Sequence, residues 1–198
     1  TNFREVTIRG ASPLGSTVLK SASFSHTYGT NSIDVTFERI EFRPGVSVPN
    51  SVQPTTLYGG TGLLTLRDCR FRDFPLGDSV VRCRRGRIEG CEFINNGYRG
   101  ASAIGGVLYC FSGMTEVDRC VFRGNKGNSG GAIGSDRATI RVTNSLFEGN
   151  QAFSGGVASV TTTGKVELLN CTLVGNDAFS GSIASIPGSE SIVLRNCI

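Results

Sequence analysis

The stretch that decides the fold runs from Cys120-Val-Phe-Arg-Gly-Asn125 through Gly130-Gly-Ala-Ile133 and Thr139-Ile-Arg-Val-Thr-Asn-Ser-Leu-Phe147 to Glu148-Gly-Asn150. Its opening motif returns at its end: Phe122-Arg-Gly-Asn125 is followed 25 residues later by Phe147-Glu-Gly-Asn150. Looser copies stand at Phe93-Ile-Asn-Asn96 and Leu173-Val-Gly-Asn176. Five residues after each Asn comes a small-residue step: Ala101-Ser-Ala-Ile104, Gly130-Gly-Ala-Ile133, Gly155-Gly-Val-Ala158 and Gly181-Ser-Ile-Ala184. Two residues before each Phe or Leu sits Cys91, Cys120, Ser145 or Cys171. The register extends back to Cys69/Phe71 and Ile40/Phe42 and forward to Cys197, at spacings of 29, 22, 29, 25, 26 and 26 residues. A period of this length is the signature of a solenoid.

Parity within each unit predicts which solenoid. Ile140 and Val142 alternate with polar residues, the pattern of a half-buried strand. The apolar set then jumps to the other parity at Ser145 and Phe147, and a parity switch requires a corner. The corner positions are Arg39, Asp68, Gly90, Arg119, Asn144, Asn170 and Asn196. Five of these seven are Gly, Asn or Asp, which tolerate a left-handed bend best. Each unit is expected to be three short strands, holding the small-residue step, the alternating run and the Cys-x-Phe in turn. Such coils stack at ~4.8 Å as a parallel β-helix, so equivalent residues form ladders. Three interior ladders are expected. They are Ile40 with the Cys/Ser column, Phe42 to Leu173 with the aromatic column, and Val81, Ala103, Ala132, Val157 and Ile183. The paired glycines are expected to lack room for a side chain or to need positive φ. Residues 43–60, with Pro44, Pro49 and Pro54, read as a loop leaving the coil.

Composition excludes other classes. Gly is 27 of 198 residues, about twice the usual share, and charged residues are only 18%. No apolar run reaches the ~18 residues of a membrane helix. The net charge of +4, from 17 Arg and three Lys against 16 acids, is too small for a dedicated nucleic-acid binder. Neither nucleic-acid binding nor membrane insertion by this segment is expected.

The paired motifs Phe-x-x-Asn and Gly-Gly-Ala-Ile, strongest at 122–133 and 147–158, resemble the repeat of chlamydial polymorphic outer membrane proteins. Similar repeats occur in large surface proteins of other bacteria, algae and protists. The clear repeats cover residues 67–198, and Phe74 replaces the Asn in the first of them. The resemblance implies an all-β fold: a single right-handed parallel β-helix, a pectate-lyase-like solenoid of three short strands per coil and about seven coils. It also implies a secreted or cell-surface location and a role in adhesion or as a structural stalk. Residues 1–198 are read as one β-helix segment of a larger protein.

Many β-helices cleave polysaccharides, so catalysis is tested against the ladders. A lyase or glycosidase needs clustered or paired carboxylates. Asp68 aligns with Gly90 and Arg119, and Glu148 with Arg123 and Val174; no ladder is expected to hold two neighbouring acids. No catalytic residue, metal ligand or cofactor is assigned. The single His, His26, stands outside the repeats, and no Cys pair has zinc-finger spacing. Cys83 and Cys110 lie off the core ladder on neighbouring coils and are a candidate disulfide, although this alignment leaves them about five residues out of register. Asn144, Asn170 and Asn196 are expected to form an amide ladder at one corner. Asn170-Cys-Thr172 is also a glycosylation sequon. Arg82, Arg84, Arg85 and Arg87, with Arg67, Arg70 and Arg72, are a candidate docking patch for an acidic protein or glycan. The function expected is a non-enzymatic rod with faces for other protein subunits or the rest of its own chain. The alternative is a module that binds or degrades polysaccharide.

Overall fold

In a computed structural model the described residues are 5–14, 17–20, 24–25, 33–44, 57–74, 79–97, 106–186, 188 and 191–198. The described elements are all strands and every strand pair is parallel, as alternating short apolar runs separated by bends require. One sheet has seven strands: Val18–Lys20, Glu41–Arg43, Arg70–Arg72, Glu92–Ile94, Val121–Arg123, Leu146–Glu148 and Thr172–Val174. Seven levels span six turns of a parallel solenoid. A 13-stranded sheet carries the alternating runs and the strands that follow the glycine steps.

A third, three-stranded sheet was not expected: Lys126–Ser129, Gln151–Ser154 and Asp177–Ser180. The best-formed coils therefore have four strands rather than three. The inward residues of this extra strand are Gly127, Ala152 and Ala178, too small to betray a strand by apolar alternation. Pairing also reaches back further than the legible repeats. Glu5–Arg9 pairs Asp34–Glu38, and Leu19 stands opposite Phe42.

All seven corner residues have positive φ, from 49° at Asp68 to 62° at Gly90. A second corner, at Asp73, Asn95, Gly124, Gly149 and Gly175, is also left-handed. The two glycines of each step do different work. Gly130 and Gly155 have φ of 75° and 69°. Gly131 lacks room instead, since a Cβ there would lie 2.3 Å from the Gly156 carbonyl oxygen of the next coil.

The core is columnar. Phe42, Phe71, Phe93, Phe122 and Phe147 are fully buried, and their rings stack at 4.6, 4.9, 4.9 and 4.9 Å within 6° of parallel. Beside them runs the Cys/Ser column. Cys91 Sγ accepts the Cys69 amide at 3.4 Å, Cys120 Sγ the Cys91 amide at 3.4 Å, and Ser145 Oγ the Cys120 amide at 3.0 Å. These amides have just left the strand ladder at the corner, which is why a small donor-acceptor side chain fits there.

The third expected ladder is corrected by one residue and by one coil. Val81, Leu108, Ile133, Ala158 and Ala184 form one column, and Val107, Ala132, Val157 and Ile183 precede them. The step on the Phe93 coil is Gly106-Val107-Leu108 rather than Ala101–Ile104, because that coil carries extra residues before it. Ala103 lies outside the described residues, as do His26, Pro49 and Pro54. Of the expected 43–60 excursion, Arg43 closes a strand and residues 57–60 open the strand Leu57–Arg67, while residues 45–56 lie outside the described residues.

Candidate functional site

Outward positions of the longest strand run carry two columns of charge. One column reads Thr65, Arg87, Glu116, Arg141, Glu167. The next reads Glu38, Arg67, Glu89, Asp118, Thr143. Opposite charges thus fall on adjacent coils, with Arg9–Glu38 at 2.8 Å, Arg67–Glu89 at 3.6 Å, Arg87–Glu116 at 3.5 Å and Arg141–Glu167 at 4.0 Å. The seven-stranded sheet repeats the device. Arg70 lies between Glu92 at 2.6 Å and buried Glu41 at 3.6 Å, and Arg123 pairs with Glu148 at 2.7 Å. The hydrogen bond to Glu92 pushes the Arg70 pKa up.

This arrangement divides the arginine patch among three faces. Arg70 and Arg72 belong to the seven-stranded sheet. Arg67, exposed Arg85 and Arg87 lie along the charged columns. Arg82 lies 5.0 Å over the Tyr109 ring and Arg84 5.2 Å over the Phe111 ring, on the strand segment before the bend. A contiguous run in sequence is split because strand side chains alternate and the strand Val81–Glu89 pairs with two different strands, first Leu108–Cys110 and then Gly113–Asp118.

Two ladders do hold neighbouring acids, against the reading of the sequence: Glu5 stands opposite Asp34, whose Oδ1 accepts the Leu63 amide at 2.8 Å, and Asp118 stands opposite Glu89. Glu89 and Asp118 are both engaged. Glu89 faces Arg67. Asp118 Oδ1 accepts the Thr143 hydroxyl at 2.6 Å and the Asn144 amide at 2.8 Å, and Arg119 bonds its other oxygen. The Thr143 and Asn144 hydrogen bonds, with the Arg119 charge, hold the Asp118 carboxyl below its ordinary value. An ionised, anchored carboxylate of this kind positions neighbours and does not donate protons. Glu89, Glu116, Asp118 and Arg141 line a shallow depression of about 240 Å³. A second cavity, of about 160 Å³, is apolar and lies among Ile8, Val35, Phe37, Leu57 and Leu64.

The corner asparagines stack. Asn170 Nδ2 donates to Asn144 Oδ1 at 3.5 Å, and Asn196 Nδ2 to Asn170 Oδ1 at 3.2 Å, while Asn144 reaches Asp118. Asn170 is exposed, with its amide within that stack. A stronger ladder went unread in the sequence. Asn96, Asn125 and Asn150 are fully buried. Asn125 Oδ1 accepts both the backbone and side-chain N–H of Asn96, at 3.0 and 3.1 Å. Asn125 Nδ2 donates to Phe93 O at 2.9 Å and to Asn150 Oδ1 at 3.0 Å. Asn176 continues the pattern. The signal was the Asn of Phe-x-x-Asn itself, a polar residue repeated in phase with the core. Cys83 and Cys110 are direct cross-strand partners in the buried core, and both thiols are free.

The model of the family described as right-handed β-helix region matches residues 56–198. The chain belongs to the right-handed β-helix family. The match begins where the strand Leu57–Arg67 starts, about ten residues before the first clear repeat in the sequence. Comparison with curated proteins and with solved structures gave no match. Among the described residues, no helix is long and apolar enough to cross a membrane. In this right-handed β-helix the two larger sheets carry ion pairs between successive coils on their outward faces.

Proposed function

We propose that this β-helix is a non-enzymatic structural or adhesive segment of a secreted or cell-surface protein. It acts as a rigid rod whose faces dock other protein subunits or the rest of its own chain. The observation that carries this reading is the pairing of outward charge along the ladders. Arg67–Glu89, Arg87–Glu116 and Arg123–Glu148 tie coil to coil. The adjacent carboxylates Glu89 and Asp118 are held by Arg67, Thr143, Asn144 and Arg119. Groups committed in this way stiffen a rod. The resemblance to polymorphic outer membrane protein repeats supports the surface location. Acidic glycan is a secondary candidate partner, through Arg85 and its neighbours.

The test is incubation of the purified chain with polygalacturonate and other acidic glycans, with and without Ca²⁺. No unsaturated or newly reducing ends are expected. Cleavage that disappears in an Asp118→Asn variant would replace this reading with the polysaccharide-degrading one.

A further inference from the structure

The seven cysteines divide sharply by what their sulfurs touch. In the core column each thiol is committed to the backbone. Cys69 Sγ donates to Arg67 O at 3.3 Å, Cys91 Sγ to Glu89 O at 3.3 Å, and Cys120 Sγ to Asp118 O at 3.3 Å. Cys171 Sγ reaches Leu169 O at 3.4 Å and Cys197 Sγ reaches Leu168 O at 3.3 Å. Cys83 and Cys110 differ. Their sulfurs face each other at 3.6 Å, and their other polar neighbour is the Thr115 hydroxyl, at 3.6 Å from Cys83 and 3.3 Å from Cys110. Their column neighbours are Gly59 on one side and Ser135 on the other, so each has a single cysteine within reach in its own column.

We infer that Cys83 and Cys110 form one selective disulfide between adjacent coils when the chain meets a disulfide oxidant, while the five column thiols stay reduced. Parallel in-register partners have Cα atoms ~4.8 Å apart, inside the usual range for a disulfide. Closing the bond needs the two sulfurs to approach by rotation of the Cys side chains. With oxidised glutathione the step balances. The Cys83 thiolate attacks one glutathione sulfur and displaces a glutathione thiolate. The Cys110 thiolate then attacks Cys83 Sγ and displaces the second. Two cysteine thiols lose two protons and two electrons, and one glutathione disulfide becomes two thiols. Both sulfurs are fully buried, so the exchange takes place before the coil carrying Cys110 closes over Cys83.

The experiment folds the full chain from reduced denaturant in a glutathione redox buffer, traps thiols with an alkylating reagent in denaturant, and maps peptides by mass spectrometry. The expected result is a mass about 2 Da below the fully reduced chain before alkylation, five alkylated cysteines and a linked Cys83–Cys110 peptide. Cys83→Ser should fold to a product with every thiol alkylated, and Cys69→Ser should keep the linked peptide. Seven alkylated cysteines in the folded wild-type product would overturn the inference. So would a linked peptide joining any other pair, and the wild-type map decides even if a variant fails to fold.

Discussion

At the residue scale, the two asparagine ladders show how one side chain serves two energetic roles. Asn125 is buried and satisfies backbone groups on two coils. Truncation to Ala orphans the Asn96 amide and the Phe93 carbonyl, each worth about 1–3 kcal/mol when buried and unpaired. Asn125→Ala should therefore lower stability by roughly 3 kcal/mol or more in urea titrations; a loss under about 1 kcal/mol would mean that water replaces the amide. Asn170 sits at an exposed corner with φ of 54°. Asn170→Gly keeps the bend and loses amide bonds worth ~0.5–1.5 kcal/mol. Asn170→Val adds ~1–3 kcal/mol for a β-branched residue in a left-handed bend. The stability order should be Asn, Gly, Val, and equal stabilities for Gly and Val would contradict a backbone-imposed cost. Asp118 adds a pH signature. Its folded pKa is depressed below the ordinary 3.8, so its contribution is fully present above that value and is lost as pH falls through the folded pKa. The stability gap between wild type and Asp118→Asn should be constant at neutral pH and shrink below about pH 4.

At the element scale, stability comes from columns rather than from any one strand. The strands of the seven-stranded sheet are three residues each and could not stand alone. Five carry a central Phe, and Phe71, Phe93 and Phe122 are stacked on a ring above and below. Phe122→Ala removes the middle of that stack and should cost ~3–5 kcal/mol, read as a shift in the urea midpoint at unchanged slope. A cost under about 1 kcal/mol would show that the ring column does not carry the coil. The glycine steps set the approach of the neighbouring coils. Gly131→Ala should fold poorly, because its Cβ would meet backbone oxygen of the Gly156 coil rather than a side chain that can move.

At the scale of the whole molecule, six turns of stacked coil place opposite charges at one level's separation along two sheets. Ladder pairs on an exposed face are individually worth ~0–1 kcal/mol. Their collective effect is on register, because sliding one coil by one residue would turn each paired side chain to the other face of the sheet. Within residues 67–87, Arg67, Arg70 and Arg87 answer acids on the next coil. The rod should accordingly keep its stacking in moderate salt, with melting temperature changing little between 0.05 and 0.5 M NaCl, since the ring and asparagine columns are buried beyond screening. A large drop would assign the stacking to the surface pairs.

What the sequence by itself determined is everything that repeats in phase: the solenoid, the aromatic and cysteine columns, and the left-handed corner at Arg39 through Asn196. These were legible because a period near 25 residues writes the same physical environment again at every turn. What only the tertiary structure decided is where the phase slips or the signal is polar. Extra residues before Gly106 hid the pairing of Cys83 with Cys110. The small inward residues Gly127, Ala152 and Ala178 concealed a fourth strand. The buried Asn column was legible only as a motif with no role attached, and the arginine run looked like one patch. In each case the deciding contact lies one coil away, some 22 to 29 residues along the chain, at a distance that local alternation does not measure.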